Sequence, residues 1–542
     1  MNRSLLRLPN YTLLFVSLFT LAYFFLTHEG LYAIDDHFYS RYAHQLATGT
    51  FHLGPDPHGL LHDPLHERVL IFAPVALLYR FFGVDIITTT IWPLLCTLGC
   101  LVLFWVLYHR REPVVAAAAM LLLGLHYFSL NLSNYLYPDN ILMLWCLASA
   151  AALLFGQRAA RASGAWGIGF ALLTFAALLS KETIVYYFPF YTFVLLRDLA
   201  SRRNYRFWAF SVGTGLLLLA SYLAIYQLYT HDALYRIHLI ERTNDFLKEG
   251  NYLAGNRAAL LGRITWQPLD FFISTGLGGV LALAVAAMLG KRQTQDADTS
   301  FWLGLAFTTL AFYWLGSTSL NQYNPITLLP RMTTPLLPPL CLAAGFGLRN
   351  FVQTGRGGWL LGGAMLVAAA WVRSSVSLIY AGLSLYFFAA AWWSGPARKA
   401  TGTVAFASLA LLAVGLCTAI RPVYFMRKPS VSSHFDQNRI FRQYLQAPAR
   451  GVVFVDDFLI DNYDFYYGYQ VPPDLTFRRY TAADSVQLGP GEHAWLLLNR
   501  STLTNDELTR KLIRYSEQDV LARFPRRRTV AEAGKVTLYE VK

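Results

Sequence analysis

Long apolar segments, separated by short polar connections, occupy most of the first 420 residues. A membrane-spanning helix needs about 20 mostly apolar residues. The segments that fit this criterion lie at 10–27, 86–108, 113–131, 138–156, 164–180, 183–197, 207–229, 267–289, 301–317, 335–349, 358–376, 377–394 and 401–420. The pattern therefore predicts a polytopic α-helical membrane protein with about 13 transmembrane helices.

The pattern changes after residue 420, where charged residues return. Three short runs, VVFVDD (452–457), AWLLLN (494–499) and VTLYEV (536–541), are typical of β-strands. A capping box over 504–507 (TNDE) predicts a helix that continues to about Tyr515. We therefore divide the chain into a transmembrane domain, 1–420, and a small soluble α/β domain, 421–542.

Basic residues cluster in alternate connections between the apolar segments, and the positive-inside rule places such clusters in the cytoplasm. They are Arg3, Arg7, Arg110, Arg111, Arg158, Arg161, Arg197, Arg202, Arg203, Arg206, Lys291, Arg292, Arg349, Arg356, Arg398 and Lys399. With an odd number of spans, the N-terminus is cytoplasmic, and the loop 28–68 and the C-terminal domain lie outside. The sequence thus predicts a multi-pass inner-membrane protein with an extracytoplasmic C-terminal domain.

The composition agrees with a membrane protein, since 55% of the 542 residues are hydrophobic and 14% are charged. The net charge of +13 is distributed in short clusters between apolar runs, which indicates topology signals and predicts no nucleic-acid partner. The five cysteines fall in apolar segments without CxxC spacing, so neither a disulfide framework nor a thiolate metal site is indicated.

Two segments of the outer side resemble helices that lie in the bilayer interface. Residues 36–47 place Tyr39 and Ala43 at helical spacing, and 69–82 (VLIFAPVALLYRFF) is apolar but short for a span. Asp35 and Asp36 precede the first of them directly. An isolated acidic pair at a helix start is more often a cap than a catalytic group.

Three further features lie on the same side. Tyr137 and Asp139 begin the fourth span, Lys181 and Glu182 lie between the fifth and sixth, and Arg331 precedes the tenth within LPRMTTPLLPP (329–339). Taken singly, each residue has an ordinary explanation as a helix cap or as a snorkelling cation. Their order along the chain is what points to a function.

This order resembles the C-type glycosyltransferases, especially the branch of protein O-mannosyltransferases and lipid A aminoarabinose transferases. That family has an acidic pair after the first span and a tyrosine-containing interfacial helix that ends in glycine, and DDHFYSRYAHQLATG (35–49) is similar. Asp139, Lys181 and Arg331 match the family's later acid, lysine and arginine over roughly residues 10–350. Two departures are Asp36, where glutamate is usual, and HDPLHER (62–68) in place of a Lys-Pro-Pro segment.

The resemblance implies inverting transfer of a sugar from a polyprenyl-phosphate donor to an extracytoplasmic glycolipid, lipid A, polymer or protein. Asp35 would be the general base that Asp36 orients, with Asp139 as the other acid, and Lys181 and Arg331 would stabilise the leaving phosphate. Further substrate contacts are expected from Tyr39, Arg41, Tyr137 and Glu182.

The loop 28–68 also carries several histidines. His58, His62 and His66 would share one helix face, which makes a divalent metal site an alternative. Pro57 and Pro64 interrupt that helix, so we expect no required cofactor.

Two other functions stay open. A transporter or flippase of lipid-linked sugars would place polar groups near the bilayer midplane and show inverted repeats. Here the acids gather at one face, which favours an enzyme. An inactive sugar-binding assembly subunit would keep the fold without the chemistry.

Overall fold

A computed structural model describes most of the chain. The described residues are 3–31, 34–53, 66–159, 162–246, 252, 257–288, 297–393, 396–428, 432–485, 488–504 and 515–542. Within them, a helical body extends to Met426 and is followed by a small α/β domain.

The first half of the helical body contains the two helices predicted to lie in the interface, the second and third along the chain, and a series of apolar helices. They are α1 (Arg3–Thr27), α2 (Ile34–Thr48), α3 (Val69–Phe82), α4 (Ile86–Tyr108), α5 (Pro113–Gly124), α6 (Tyr127–Leu132), α7 (Pro138–Arg158), α8 (Ser163–Ser180), a 3₁₀ helix at Glu182–Tyr187, α9 (Phe188–Ala200) and α10 (Tyr205–Thr230).

The second half begins with polar helices and returns to apolar ones. They are α11 (Tyr235–Phe246), α12 (Leu260–Ile264), α13 (Gln267–Ser274), α14 (Leu277–Met288), α15 (Ala297–Leu315), a 3₁₀ helix at Pro330–Thr333, α16 (Leu337–Thr354), α17 (Gly358–Trp371), α18 (Val376–Trp392) and α19 (Pro396–Met426).

Every apolar segment predicted to span the membrane is helical, and the fold is that of a multi-pass membrane protein. Among the described residues, six helices are long and apolar enough to span by themselves, and α13 with α14 forms a further pair bent by 102°. The bend falls at Gly276, whose φ of +92° is accessible to glycine at little cost. The segments 113–131 and 183–197 are also divided into two helices, so the count of 13 spans stays a prediction.

Helix α16 lies at the centre of the body and is buried over nearly its whole length. A Cβ at Gly347 would overlap the carbonyl of Leu283 in α14, and one at Gly345 would lie 2.9 Å from the carbonyl of Val115 in α5. The missing side chains therefore let three backbones approach closely, as is common between membrane helices. This packing fixes α16 and the 3₁₀ helix before it, which carries Arg331.

The two helices expected in the interface are present and pack on each other. Phe38, Tyr39 and Tyr42 of α2 form one apolar cluster with Phe72 and Val75 of α3, together with other residues of both helices. The burial of these aromatic rings holds α2 flat against the body and thereby sets the position of its N-terminus.

The C-terminal domain is a five-stranded mixed sheet with helix α20 (His434–Tyr444) packed against it. Its strands are β1 (Gly451–Val455), β2 (Leu475–Arg479), β3 (His493–Asn499), β4 (Arg527–Ala533) and β5 (Val536–Val541), in the order β2-β1-β3-β5-β4. The pairs that involve β1 are parallel and the other two are antiparallel.

Strands β1, β3 and β5 correspond to the three predicted runs, whereas β2 and β4 were not predicted. The capping box predicted over 504–507 and its helix fall mostly on 505–514, outside the described residues. A capping box does begin the following helix, Glu517–Arg523, where Ser516 and Asp519 cap each other.

Candidate active site

The acidic pair occupies the first turn of α2, where the helix dipole favours negative charge. Asp36 is fully buried, while the Asp35 side chain retains 22% of its exposure. Nη1 of Arg331 donates a hydrogen bond to Oδ2 of Asp35 at 3.2 Å. The partly exposed carboxylate of the pair therefore contacts a cation.

Arg331 lies in the 3₁₀ turn before α16 and keeps 34% side-chain exposure. Its guanidinium carbon lies 5.2 Å from the ring centroid of Tyr137, which orients the side chain by a cation–π contact. Burial alone would lower the pKa of Arg331, but Asp35 and Asp139 raise it above its usual value. The guanidinium is therefore charged at any physiological pH.

A second ion pair lies deeper, between the ends of two helices. Nζ of Lys181, just after α8, donates to Oδ1 of Asp139 in the first turn of α7 at 2.8 Å. The two side chains are 5% and 0% exposed. Burial lowers the pKa of Lys181 and Asp139 opposes that shift. Among the described residues, Oδ2 of Asp139 has no hydrogen-bond donor.

A third cluster surrounds Glu182. Nη2 of Arg68 and Nη2 of Arg236 lie 3.2 and 3.3 Å from its carboxylate, and Arg68 also donates to the Tyr39 hydroxyl at 3.2 Å. Burial would raise the pKa of Glu182, but the two guanidinium groups lower it to about 2. Glu182 is therefore ionised, and it holds Arg68 beside α2.

The structure brings most of the predicted site residues into one region. Lys181 and Glu182 are adjacent and join the second and third clusters, and Met332, next to Arg331, contacts Nζ of Lys181 at 3.2 Å. The residues brought together are Asp35, Tyr39, Tyr137, Asp139, Lys181, Glu182 and Arg331. Arg68 and Arg236 belong to this region as well, although no sequence pattern pointed to them.

Arg41 contacts the C-terminal domain. Its guanidinium contacts the carbonyl of Asp461 and the carboxylate of Asp464 in the C-terminal domain, the latter at 3.4 Å. The structure therefore gives Arg41 a partner in the other domain, away from the cations around Glu182 and Asp139. Its predicted role as a substrate contact has no support in this arrangement.

The same face of α2 makes three more contacts with the C-terminal domain. The ring of His37 meets Phe465 edge-on with centroids 6.0 Å apart, and His44 stacks on Tyr469 at 4.5 Å. The Tyr469 hydroxyl donates to Ser40 Oγ at 2.7 Å. Positions 37, 40, 41 and 44 have the i, i+3, i+4, i+7 spacing of one helix face. The C-terminal domain therefore fixes the rotation of the helix that carries Asp35.

The histidine loop gives no metal-ligand set within the described residues. His66 is buried between the rings of Tyr42 and Tyr235. His58 and His62 lie outside the described part of the chain. In that part, no group of three or more His, Cys, Asp or Glu side chains is arranged to hold a metal ion.

The fold is similar to two crystal structures of ArnT from Cupriavidus metallidurans. The structure bound to undecaprenyl phosphate aligns with a TM-score of 0.55 and 14% identity, over 98% of this chain and 98% of that chain. The apo structure aligns with a TM-score of 0.53 and 13% identity over the same shares. No family model and no curated protein matches the sequence. ArnT is a lipid A aminoarabinose transferase, so the resemblance expected from the sequence is confirmed at the level of the fold.

Proposed function

We propose that this chain transfers a sugar, with inversion, from a polyprenyl-phosphate-linked donor to an acceptor outside the cytoplasm. The observation that carries the proposal is the pair of Asp35 and Arg331, 3.2 Å apart and both partly exposed. It places a potential base and a potential phosphate ligand at one accessible point. The ArnT fold supports the donor class, because an ArnT structure holds undecaprenyl phosphate.

In the proposed reaction, the acceptor hydroxyl attacks the anomeric carbon of the donor. Its proton passes to Asp35, and the bond from the anomeric carbon to the phosphate oxygen breaks. The polyprenyl phosphate leaves with the electron pair of that bond, on the face opposite the attack. Direct displacement therefore inverts the anomeric centre.

Arg331 would change partners when the donor binds. A guanidinium forms paired hydrogen bonds with phosphate, so the donor phosphate competes with Asp35 for the same group. Loss of the ion pair leaves the Asp35 carboxylate available to the acceptor hydroxyl. Binding of the donor would thus make Asp35 available for the acceptor. Asp36, buried beside Asp35, would orient the first turn of α2.

Lys181 has a more enclosed position than Arg331. Its side chain is 5% exposed and its ammonium is paired with Asp139, so contact with a phosphate requires that pair to open. We assign the Lys181 ammonium to stabilising charge behind the leaving group, and Asp139 to holding that ammonium in place between the helix ends. Tyr137 would orient Arg331 through its ring.

The remaining assignments follow the positive-inside rule and the resemblance. The chain would reside in the inner membrane with a cytoplasmic N-terminus and an extracytoplasmic C-terminal domain. The acceptor would be an envelope glycolipid, a polymer or a protein, and the reaction would need no metal ion.

The test is the effect of Asp35→Asn on turnover. This change keeps the side-chain size but removes the basic oxygen, so the release of polyprenyl phosphate should fall by a factor on the order of 100 to 10,000. Donor binding should persist. The assay would use short-chain polyprenyl-phosphate mannose, glucose and aminoarabinose with membranes as the acceptor source.

The matched control is Asp474→Asn, because Asp474 is an exposed carboxylate of the C-terminal domain. It should turn over like the wild type. Near-normal turnover in Asp35→Asn combined with loss in Asp139→Asn would move the base to Asp139. Normal turnover in both variants would remove the proposed mechanism.

A further inference from the structure

A cavity of about 410 Å³ lies between the C-terminal domain and the turn that joins α3 to α4. One wall is formed by α20 and the segment 465–470, and the other by Val84, Asp85 and Ile86. The volume falls in the range of about 300–1,000 Å³ that is typical of small-molecule sites. The cavity therefore has room for one or two sugar rings.

Helix α20 presents a row of hydrogen-bonding side chains to this cavity. His434, Asn438, Arg442 and Gln446 all line it and are spaced four residues apart. Residues four apart lie above one another on a helix, so His434, Asn438 and Arg442 form a polar stripe on α20, and Gln446 follows just after the helix ends. The opposite face of α20 is apolar and packs into the sheet through Phe441 and its neighbours.

Several of these polar groups are not used by the protein itself. In the described part of the chain, no hydrogen bond or ion pair engages the side chains of Asn438, Arg442, Gln446 or Gln470. They are also exposed or half-buried. Amide and guanidinium groups of this kind are available for the hydroxyls of a ligand.

The same cavity contains two tyrosine rings in fixed orientations. The Tyr466 hydroxyl donates to Gln437 at 2.8 Å, and the Tyr467 hydroxyl donates to the carbonyl of Leu445 at 2.7 Å. Because the hydroxyls are occupied, the parts of the two rings that line the cavity contribute apolar surface, and Tyr466 also stacks on Phe441. Flat rings beside several free amides form the combination that suits a pyranose, which has an apolar face and a rim of hydroxyls.

The floor of the cavity touches the segment that bears the acidic pair. Phe465 lines the cavity and meets His37, the residue after Asp36. His434 lines it as well and fills the space beside Gly30, where any Cβ would overlap the imidazole ring. A ligand in the cavity would therefore lie one layer of side chains from the start of α2.

The cavity also adjoins a surface suited to lipid. Phe81 and Phe82 end α3, two residues before Val84 of the cavity wall, and each is 72% exposed. Exposed aromatic residues on a helix in the interface insert into the acyl boundary of a bilayer. The cavity mouth would then lie at headgroup level.

We infer that this cavity binds the saccharide of a membrane-anchored acceptor. The role of this saccharide as an acceptor rests on the proposed function, whereas saccharide binding rests on the cavity alone. Binding there would hold one sugar unit of the acceptor on the C-terminal-domain side of α2, so that another part of the same molecule reaches Asp35 on the other side while the lipid anchor stays in the bilayer. The C-terminal domain would thereby contribute to acceptor choice.

The test is saccharide binding to the full-length protein, purified in lauryldimethylamine oxide, a detergent without a sugar headgroup. Saturation-transfer NMR would use maltose, chitobiose, mannobiose and lactose as probes. At least one of them should bind the wild type with a millimolar dissociation constant. Arg442→Ala and Asn438→Ala should each weaken that binding at least tenfold. Within the described residues, neither side chain has a hydrogen-bond or ion-pair partner whose loss would impair folding.

The matched control is Arg439→Ala, since Arg439 is an exposed arginine of the same helix that does not line the cavity. It should bind the disaccharide like the wild type. Asp35→Asn should also bind it, which separates a failure of the cavity from a failure of the proposed reaction. If the natural ligand is anchored to a lipid, extracted envelope glycolipids should displace the disaccharide and water-soluble envelope glycans should not.

Three results would overturn the inference. The first is that no disaccharide binds the wild type. The second is that Arg442→Ala and Asn438→Ala bind it unchanged. The third is that inorganic phosphate occupies the cavity in place of the saccharides, which would make Arg442 an anion site. Displacement by water-soluble glycans alone would refute the lipid anchor.

Discussion

Replacement of Lys181 by methionine tests the buried ion pair with Asp139. At an effective dielectric constant of about 20, unit charges 2.8 Å apart attract by roughly 6 kcal/mol, and desolvation offsets part of this. Methionine fills a similar volume but leaves the Asp139 carboxylate buried without its cation. Removal of one partner of a buried pair costs about 3–5 kcal/mol, so the free energy of unfolding should fall by that amount.

The expected loss can be read from thermal unfolding, followed by tryptophan fluorescence of the detergent-solubilised protein. At about 2.1 cal/mol/K per residue, a chain of 542 residues has an unfolding entropy of about 1.1 kcal/mol/K. The melting temperature should therefore fall by about 3–4 °C. The double variant Lys181→Met with Asp139→Asn should lose less than the sum of the two single variants, because each single change leaves a buried charge.

The control is Lys535→Met, which removes an exposed lysine of the C-terminal domain. It should melt within 1 °C of the wild type, since isolated surface charges contribute little, at most about 1 kcal/mol. An unchanged melting temperature for Lys181→Met would refute the reasoning, and additive losses in the double variant would show that the two side chains do not stabilise each other.

Three further predictions concern charge, topology and metal. Arg68 and Arg236 lower the pKa of Glu182 from 4.5 to about 2, so its ion pairs stabilise the fold above about pH 4.5 and are lost as the pH falls toward 2. Glu182→Gln should therefore flatten the fall in melting temperature between pH 4.5 and 2. An unchanged slope in this variant would contradict the prediction. Cysteines introduced at Thr50 and Thr504 should both react with an impermeant maleimide in intact cells, whereas reaction only after permeabilisation would refute the topology. Turnover should persist in excess chelator, and its loss and recovery with one divalent ion would indicate a metal site.

The sequence predicted the long helices well, because apolar runs ended by charged or turn residues leave few alternatives. The segment 86–108 coincides with α4. The bend between α13 and α14 was not predictable, since one glycine at residue 276 allows several conformations and only packing chooses among them.

Strands β2 and β4 lie at the two edges of the sheet. Edge strands are half exposed, and the polar runs LTFRR and RRTVAEA carry little apolar signal.

Several residues that the structure brings together were named from the sequence, but their pairing was not predicted. Asp35 and Arg331 are 296 residues apart, and their contact depends on how α16 packs. Arg68 and Arg236 have no local feature that separates them from ordinary loop cations. Arg41 is close to the acidic pair in sequence, yet six residues of helix rotate it by about 240° from Asp35, whereas four residues bring Tyr39 back to the same side.

This rotation explains why the C-terminal domain belongs to the proposed active site. One face of α2 presents Asp35 and Tyr39 to the cations of the helical body, and the other presents His37, Ser40 and Arg41 to the C-terminal domain. A helix held on one face alone can roll, and a displacement of about 1 Å at a catalytic group is enough to cost two orders of magnitude in rate. The contacts on the second face oppose that roll. The sheet domain would therefore act on Asp35 through the orientation of α2, while its cavity would act on the acceptor.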